Sequence, residues 1–204
     1  MAFCLTNSEV GYYTRQPVLG QSGDFITAPE ISQMFGELLG LWLAQCWIEQ
    51  ERPQKFTLLE LGPGKGTLMN DLLRATASVD GFHNAMQLYL LEISPNLRKV
   101  QKEKLKGYDI IWLDELQKLP DAPLFFIANE FFDALPIRQF QRVGDIWFER
   151  YIVLQDDSLA FEFTPEKTIV PEKISARQDL ADGDIVEVCR GGKKICKFLS
   201  KHLK

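Results

Sequence analysis

A chain of 204 residues with 46% hydrophobic and 25% charged residues can bury one sizeable core and has the composition of an ordinary soluble protein. Its formal net charge of −5 argues against a nucleic-acid partner, whose phosphates want a basic face. Cys4, Cys46, Cys189 and Cys196 form no C-x-x-C pair and are joined only by His83 and His202, so no metal site is expected, and free, mostly buried thiols in a reducing compartment are. No basic segment followed by an apolar run opens the chain, so no targeting segment is read. The most apolar helix candidate, Leu38–Ile48, is too short to cross a bilayer.

Met1–Phe25 is rich in Gly, Tyr and polar residues and reads as irregular. Thr27 to Glu30, TAPE, has capping-box spacing, with Thr27 accepting from the N3 amide, Glu30 reaching back and Pro29 in the first turn. Ile31, Phe35, Leu38, Leu39, Trp42, Leu43, Cys46 and Trp47 then recur at helical spacing, which predicts one helix over Pro29–Glu51, ended by Pro53. Strands follow at Phe56–Leu61, Gln87–Ile93, Asp109–Leu113 and Leu124–Ala128, the last apolar throughout and expected to be buried on both faces. Helices at Thr67–Thr76 and from Ser94-Pro95 to Leu105, stopped by Gly107, alternate with them. This β–α–β–α–β order predicts an α/β fold with a parallel sheet and right-handed crossovers.

After Pro136 the pattern changes. Ile137–Arg142, Ile146–Leu154 and Leu159–Phe163, joined by Gly144-Asp145 and Asp156-Asp157, read as an antiparallel meander. A loop over Thr164–Ser175, an extended Asp184–Cys189 and a helix over Lys193–Leu203 complete the chain. The expected organisation is an N-terminal cap and helix over 1–55, a cofactor-binding core over 56–136, an antiparallel β insertion over 137–175 and a return to the core over 176–204. Four parallel strands are few for a sheet of this kind, so the sequence reads as a fragment, or a split or shortened version, of a longer protein.

Chemistry concentrates where strands end. LLELGPGKGTL, Leu58–Leu68, is not a phosphate loop, because Lys65 is followed by Gly66. Nor is it a dinucleotide fingerprint, whose third glycine would fall on Thr67. It is E-x-G-x-G-x-G between a strand and a helix. Gly62, Gly64 and Gly66 permit close backbone approach by a ligand, the helix N-terminus behind them favours a carboxylate, and Glu60 suits a cationic group. A plain strand–helix turn is the competing explanation. Glu92, at the end of the second strand, is placed to take both hydroxyls of a ribose. Asp114, past the third, is placed to accept from an adenine amino group, or else is a loop or cap residue. A glycine turn and three acids in one crevice describe a nucleoside carrying a positive charge and a carboxylate: S-adenosylmethionine.

The fourth strand leads into IANEFFDALP, Ile127–Pro136. Asn129 brings an amide, and Glu130 and Asp133, at i and i+3, share a face on a helical turn. Two such carboxylates can hold a guanidinium by bidentate bonds, offset its charge and deprotonate it, which is what a methyl acceptor needs. The competing explanation is that Asn129 and Asp133 merely close a strand–helix turn. Phe131 and Phe132 read as core or pocket wall.

GYYTRQPVLGQSGDFITAPEISQMFGELLGLWL (Gly11–Leu43), LLELGPGKGTLMNDLLR (Leu58–Arg74), LLEISPNLRKVQ (Leu90–Gln101) and NEFFDALPIRQF (Asn129–Phe140) together resemble the MidA family. These are S-adenosylmethionine-dependent methyltransferases related to the mitochondrial complex I assembly factor that methylates a protein arginine. The resemblance covers most of the chain from Gly11 on. It implies a Rossmann-like methyltransferase fold and cofactor contacts from Gly62, Gly64, Gly66 and Glu92. It further implies contacts from the Gly23–Glu30 loop, Asp24 and Thr27 included, and a protein arginine, in the relatives, reached through the NEFFDALP side. It carries with it a possible complex I subunit as partner, and a bacterial cytoplasmic or a mitochondrial matrix location. Two rivals stand beside this reading. One is methylation of an adenine or glutamine amide nitrogen, for which Asn129–Phe132 shares only the ends of the N-P-P-[YF] pattern. The other is a catalytically inactive fragment that only binds a partner.

Overall fold

The structure is a computed structural model that describes residues 1–7, 9–15, 26–166, 168, 170–175, 177 and 179–202. Asp24, on which a cofactor contact was expected, lies with the rest of 16–25 outside the described residues. The chain divides into two compact units, Met1–Ala134 with Lys194–Lys204, and Leu135–Lys193.

The first unit opens with three short helices, α1 (Ala2–Thr6), α2 (Tyr12–Arg15) and α3 (Ala28–Ile31), of which α1 and α2 fall among residues that read as irregular. The single helix expected over Pro29–Glu51 is broken. Ser32 is extended (φ −146°, ψ 123°), ends α3 and caps α4 (Gln33–Glu49) by accepting from the Met34 amide at 3.3 Å. The capping box at Thr27 does not form; the Thr27 side chain caps nothing, and only its main-chain oxygen serves α3.

The parallel sheet follows in order β3-β2-β1-β4, from β1 (Phe56–Leu61), β2 (Met86–Leu91), β3 (Ile110–Leu113) and β4 (Leu124–Ile127). Between them run α5 (Thr67–Thr76), the short α6 (Phe82–Ala85), α7 (Pro95–Lys104) and a 3₁₀ turn at Leu116–Lys118. Ser94 caps α7 by accepting from the Leu97 amide, as its place before Pro95 predicts. Alternate residues of β1 serve opposite faces. Leu58 packs with Leu43 and Trp47 of α4 and Leu68, Leu72 and Leu73 of α5, while Leu59 and Leu61 pack with Tyr89, Leu113, Leu116 and Leu199. Leu199 lies on α9 (Arg190–His202), so helices cover both faces of the sheet. Contrary to expectation, β4 is only half-buried over Leu124–Phe126, because it lies at the edge of these four strands.

The face α4 presents is set by its small residues. A Cβ on Gly36 would stand 2.8 Å from Cβ of Asp71, and one on Gly40 2.9 Å from Cγ of Leu72 and 3.0 Å from its backbone. The two helices therefore touch through Gly36 and Gly40, one turn apart. This contact rotates α4 so that Leu43, Ala44 and Trp47 are buried while Leu38 and Trp42, expected on the same face, are 60% and 61% exposed; Ile31, also expected there, is 72% exposed on α3, beyond the break at Ser32. None of the four cysteines is buried, another departure from expectation.

The second unit is an antiparallel sheet in order β7-β6-β5-β8, from β5 (Arg138–Val143), β6 (Ile146–Gln155), β7 (Ser158–Phe163) and β8 (Ile185–Val188). The meander and both turns fall where Gly144-Asp145 and Asp156-Asp157 put them. Its small core is Phe140, Trp147 and Val170, and Arg138 is ion-paired with Glu149. A short helix, α8 (Glu172–Ser175), falls within the expected loop. Strand β8 pairs with β5 rather than with the parallel sheet, so the chain rejoins the first unit at Lys194 and not at 176.

Because the α4–α5 contact leaves no room for a side chain, Gly40→Val is expected to cost about 2 kcal/mol through overpacking. Urea unfolding of the two proteins checks this, and an unchanged midpoint would mean the helices separate freely.

Candidate functional site

The carboxyl ends of β1 and β2 converge on the glycine turn. Gly62, Gly64 and Gly66 all hold left-handed backbone, with φ of 62°, 55° and 76°, a conformation that costs other residues on the order of 1 kcal/mol each. The turn is joined to the next strand by the Gly62 amide, which donates to the Leu91 oxygen at 3.0 Å. Over Gly62 the structure qualifies the sequence reading. A Cβ there would stand 2.7 Å from Cδ2 of Phe131, so the room that this glycine leaves is taken by an aromatic ring of the segment after β4. Gly66 is the N-cap of α5 and has no side chain with which to cap the helix amides, which leaves the helix N-terminus suited to an anion.

Glu92 lies one residue past β2 and is 7% exposed. Its Oε1 accepts from the Ser94 amide at 2.8 Å, and its Oε2 accepts from Nε2 of Gln101 at 3.2 Å. The same Nε2 donates to the Gly64 oxygen at 2.7 Å. The Glu92 carboxylate therefore faces the glycine turn. Burial pushes its pKa up, and these hydrogen bonds, with the nearby Arg98, hold it back.

Glu60 is 2% exposed, and its Oε2 has no hydrogen-bond partner among the described residues. Burial first, and then the Glu92 charge, push its carboxyl up to about 8. Two buried acids so close resist ionising together, and the unpartnered member of the pair is the one that keeps the proton.

Asp114, read as an acceptor for an adenine amino group or else a loop or cap residue, lies just past β3. It is exposed and ion-paired with Arg98 at 2.5 Å and with Lys118 at 3.6 Å, and the Arg98 guanidinium holds its pKa down. Arg98 also donates to the main-chain oxygens of Glu92 and Leu113, so it ties the ends of β2 and β3 together.

The segment after β4 is not helical. Bends and a turn run over Asn129–Leu135, and Glu130 is left-handed (φ 46°). The i, i+3 helical face proposed for Glu130 and Asp133 therefore does not exist; both side chains are exposed and Asn129 is half-buried. Asp133 instead lies near Tyr13 of α2, whose phenol is pushed up by burial and by the Asp133 charge. Tyr13 was not singled out from the sequence, where only its place in GYYTR marked it.

Thr27 precedes α3, which is fastened to the glycine turn through Glu30. The Thr67 hydroxyl, at the first residue of α5, donates to Glu30 and accepts from Nζ of Lys104. The TAPE segment thus reaches the cofactor-side turn by its glutamate rather than by the Thr27 hydroxyl. Gln101 was also missed: a polar residue inside LRKVQKEK carries no sign that it is wholly buried.

An orphaned buried carboxylate oxygen, an uncapped helix N-terminus and a fixed acid opposite it are the donor and acceptor set that a cationic amino acid nucleoside requires, so these residues fit S-adenosylmethionine. Comparison with known proteins points the same way. Residues 38–204 match the family described as "Putative S-adenosyl-L-methionine-dependent methyltransferase". The protein arginine methyltransferase NDUFAF7, mitochondrial, of Xenopus tropicalis is 35% identical over 98% of this chain and 52% of its own length. Its human counterpart is 35% identical over 98% and 51%. A COG1565 superfamily crystal structure from Burkholderia thailandensis, bound to S-adenosyl-homocysteine, superposes with a TM-score of 0.80 at 25% identity, over 99% of this chain and 54% of that one. The chain thus spans about half the length of the curated relatives it matches. From the matched residues and the shared fold, the chain belongs to the MidA-type family of S-adenosylmethionine-dependent methyltransferases.

Proposed function

We propose that this chain binds S-adenosylmethionine at the carboxyl ends of β1 and β2 and takes part in methylating an arginine of a protein substrate. The observation that carries the reading is the buried Glu92 carboxylate, fixed by the Ser94 amide and facing the glycine turn. In this reading Glu92 takes the ribose hydroxyls, the Gly62–Gly66 turn and the start of α5 take the cofactor carboxylate, and Glu60 gives up its proton to meet a cationic group. Thr27 borders the cofactor from the N-terminal side, and Asp114, ion-paired with Arg98, borders adenine.

When bound, the cofactor supplies an electrophilic methyl group on a sulfonium. What the protein must add is a desolvated site and a guanidinium nitrogen aligned with a free lone pair. Asp133, with Glu130 and Asn129, is the acceptor side of that arrangement. An exposed carboxylate can pair with an incoming arginine and take its proton as the nitrogen attacks. The curated relatives are named protein arginine methyltransferases, which favours arginine over the amino-group alternative. A complex I subunit as the target, and a mitochondrial or bacterial cytoplasmic setting, are finer parts of the same proposal; no helix among the described residues is long and apolar enough to cross a membrane.

Glu60 adds a pH signature. Its folded value of about 8 exceeds the ordinary 4.5, so between those values the folded chain holds a proton that the unfolded chain has lost. Stability is then highest below the lower value, falls as pH rises through the window and is level above it.

Three outcomes are expected. Calorimetric titration with S-adenosylmethionine shows binding, and Glu92→Ala weakens it by about 1–3 kcal/mol, the scale of lost charge-assisted bonds; no binding by the wild-type chain would favour a protein that only holds a partner. Asp133→Ala keeps cofactor affinity but loses radiolabel transfer to protein arginine, whereas equal loss of both would make Asp133 structural. Urea unfolding at about pH 5 and about pH 8.5 shows the wild type losing on the order of 3 kcal/mol more than Glu60→Gln across that interval, and equal slopes would assign the proton to another group.

A further inference from the structure

We propose that Gln101 is a positioning residue for cofactor binding, locking the ribose-binding acid and the glycine turn into one unit. The inference rests on the cofactor reading above and extends it to a residue that touches no substrate.

Gln101 lies within α7 and is 0% exposed. A buried side-chain amide is costly unless its donors and its acceptor are all matched, and here they are. Nε1 of Trp112 on β3 donates to Oε1 of Gln101 at 2.8 Å. An indole N–H can only donate, so the amide oxygen must face Trp112. The amide nitrogen is thereby turned toward two groups that can only accept, the Gly64 main-chain oxygen at 2.7 Å and Oε2 of Glu92 at 3.2 Å. One planar group thus sets the separation of the glycine turn from Glu92, and β3 sets the orientation of that group. Two recognition elements that lie 28 residues apart in sequence (Gly64 and Glu92) then move together, so the cofactor meets both at their working spacing.

The same bond bears on the charge of Glu92. The charged and titratable groups around that carboxylate are Glu60 from β1, Arg98 from α7, which holds the Glu92 main-chain oxygen, and Asp114 beyond β3, which is taken up by Arg98. Among the hydrogen bonds that favour ionised Glu92, the Gln101 bond is the one from a side chain; the others come from the Ser94 and Ile93 backbone. Removing it shifts Glu92 further toward the protonated form, in which one oxygen carries a proton and the pair accepts from ribose hydroxyls more weakly than a carboxylate does.

The test uses S-adenosylhomocysteine, with affinity measured by calorimetry across about pH 5 to 8.5 for the wild type, Gln101→Leu and Glu92→Gln. Gln101→Leu is expected to lower affinity about 10- to 100-fold near neutral pH and to move the acid limb of the affinity profile to higher pH. In a Glu92→Gln background the same change should leave no pH-dependent effect. A purely structural role would lower affinity equally at every pH, and that result, or an unchanged profile, overturns the inference. Should Gln101→Leu fail to fold by circular dichroism, the wild type still decides. The Gln101 side-chain amide resonances should titrate with the same midpoint as the affinity, and resonances indifferent to that midpoint overturn the inference. Wild-type protein that binds no S-adenosylhomocysteine would remove the cofactor reading itself; binding with an unaltered Gln101→Leu profile would remove only the role of Gln101.

Discussion

The structure turns on one electrostatic constraint: two carboxyl groups, Glu60 and Glu92, are buried together at the rim of a parallel sheet, and only one is supplied with hydrogen bonds. In a dry site the charged form of an acid must be compensated by donors or by a cation. Glu92 has its donors in the Ser94 amide and the Gln101 amide. Glu60 has an oxygen with none among the described residues. In the proposed function that oxygen meets a positively charged guest, and the elements around it fix where it sits. The packing of α4 and α5 on one face of β1, the arginine brace between β2 and β3, and the Glu30–Thr67 tie at the start of α5 all hold the rim in shape.

Much of the fold was legible because periodicity and turn chemistry agreed. Strand β1 and helix α5 fell on the predicted residues, since a continuous apolar run bounded by glycine leaves little choice. The antiparallel sheet was marked by three strand-like runs joined by Gly-Asp and Asp-Asp turns. What failed was the reading of faces. Hydrophobic spacing in α4 pointed to Leu38 and Trp42, but close approach to α5 was decided by Gly36 and Gly40, which carry no hydrophobic signal. Similarly, LFFI in β4 looked like a strand covered on both sides, and a sequence run says nothing of which strand will lie at an edge.

The site was legible as residue types at strand ends, less so as geometry. Glu60, Glu92 and the glycines meet because β1 and β2 are adjacent and parallel, which the alternating element order implies. The helical face drawn through Glu130 and Asp133 failed because the left-handed Glu130 breaks the register before a turn can close. Capping-box spacing at Thr27 was likewise satisfied on paper, but Glu30 found a better partner in the Thr67 hydroxyl, 37 residues away. Tertiary partners of this kind outbid local ones and leave no trace in spacing. Gln101, Arg98 and Tyr13 escaped notice for that reason.

The claim that a cofactor bridges the glycine turn and Glu92 is tested most directly by amide hydrogen exchange with and without S-adenosylhomocysteine. The account predicts slower exchange on ligand addition in two segments together, the turn from Gly62 to the first residues of α5 and the stretch from Glu92 to Ser94. Protection confined to one of these segments, or to residues away from the carboxyl ends of β1 and β2, would contradict it.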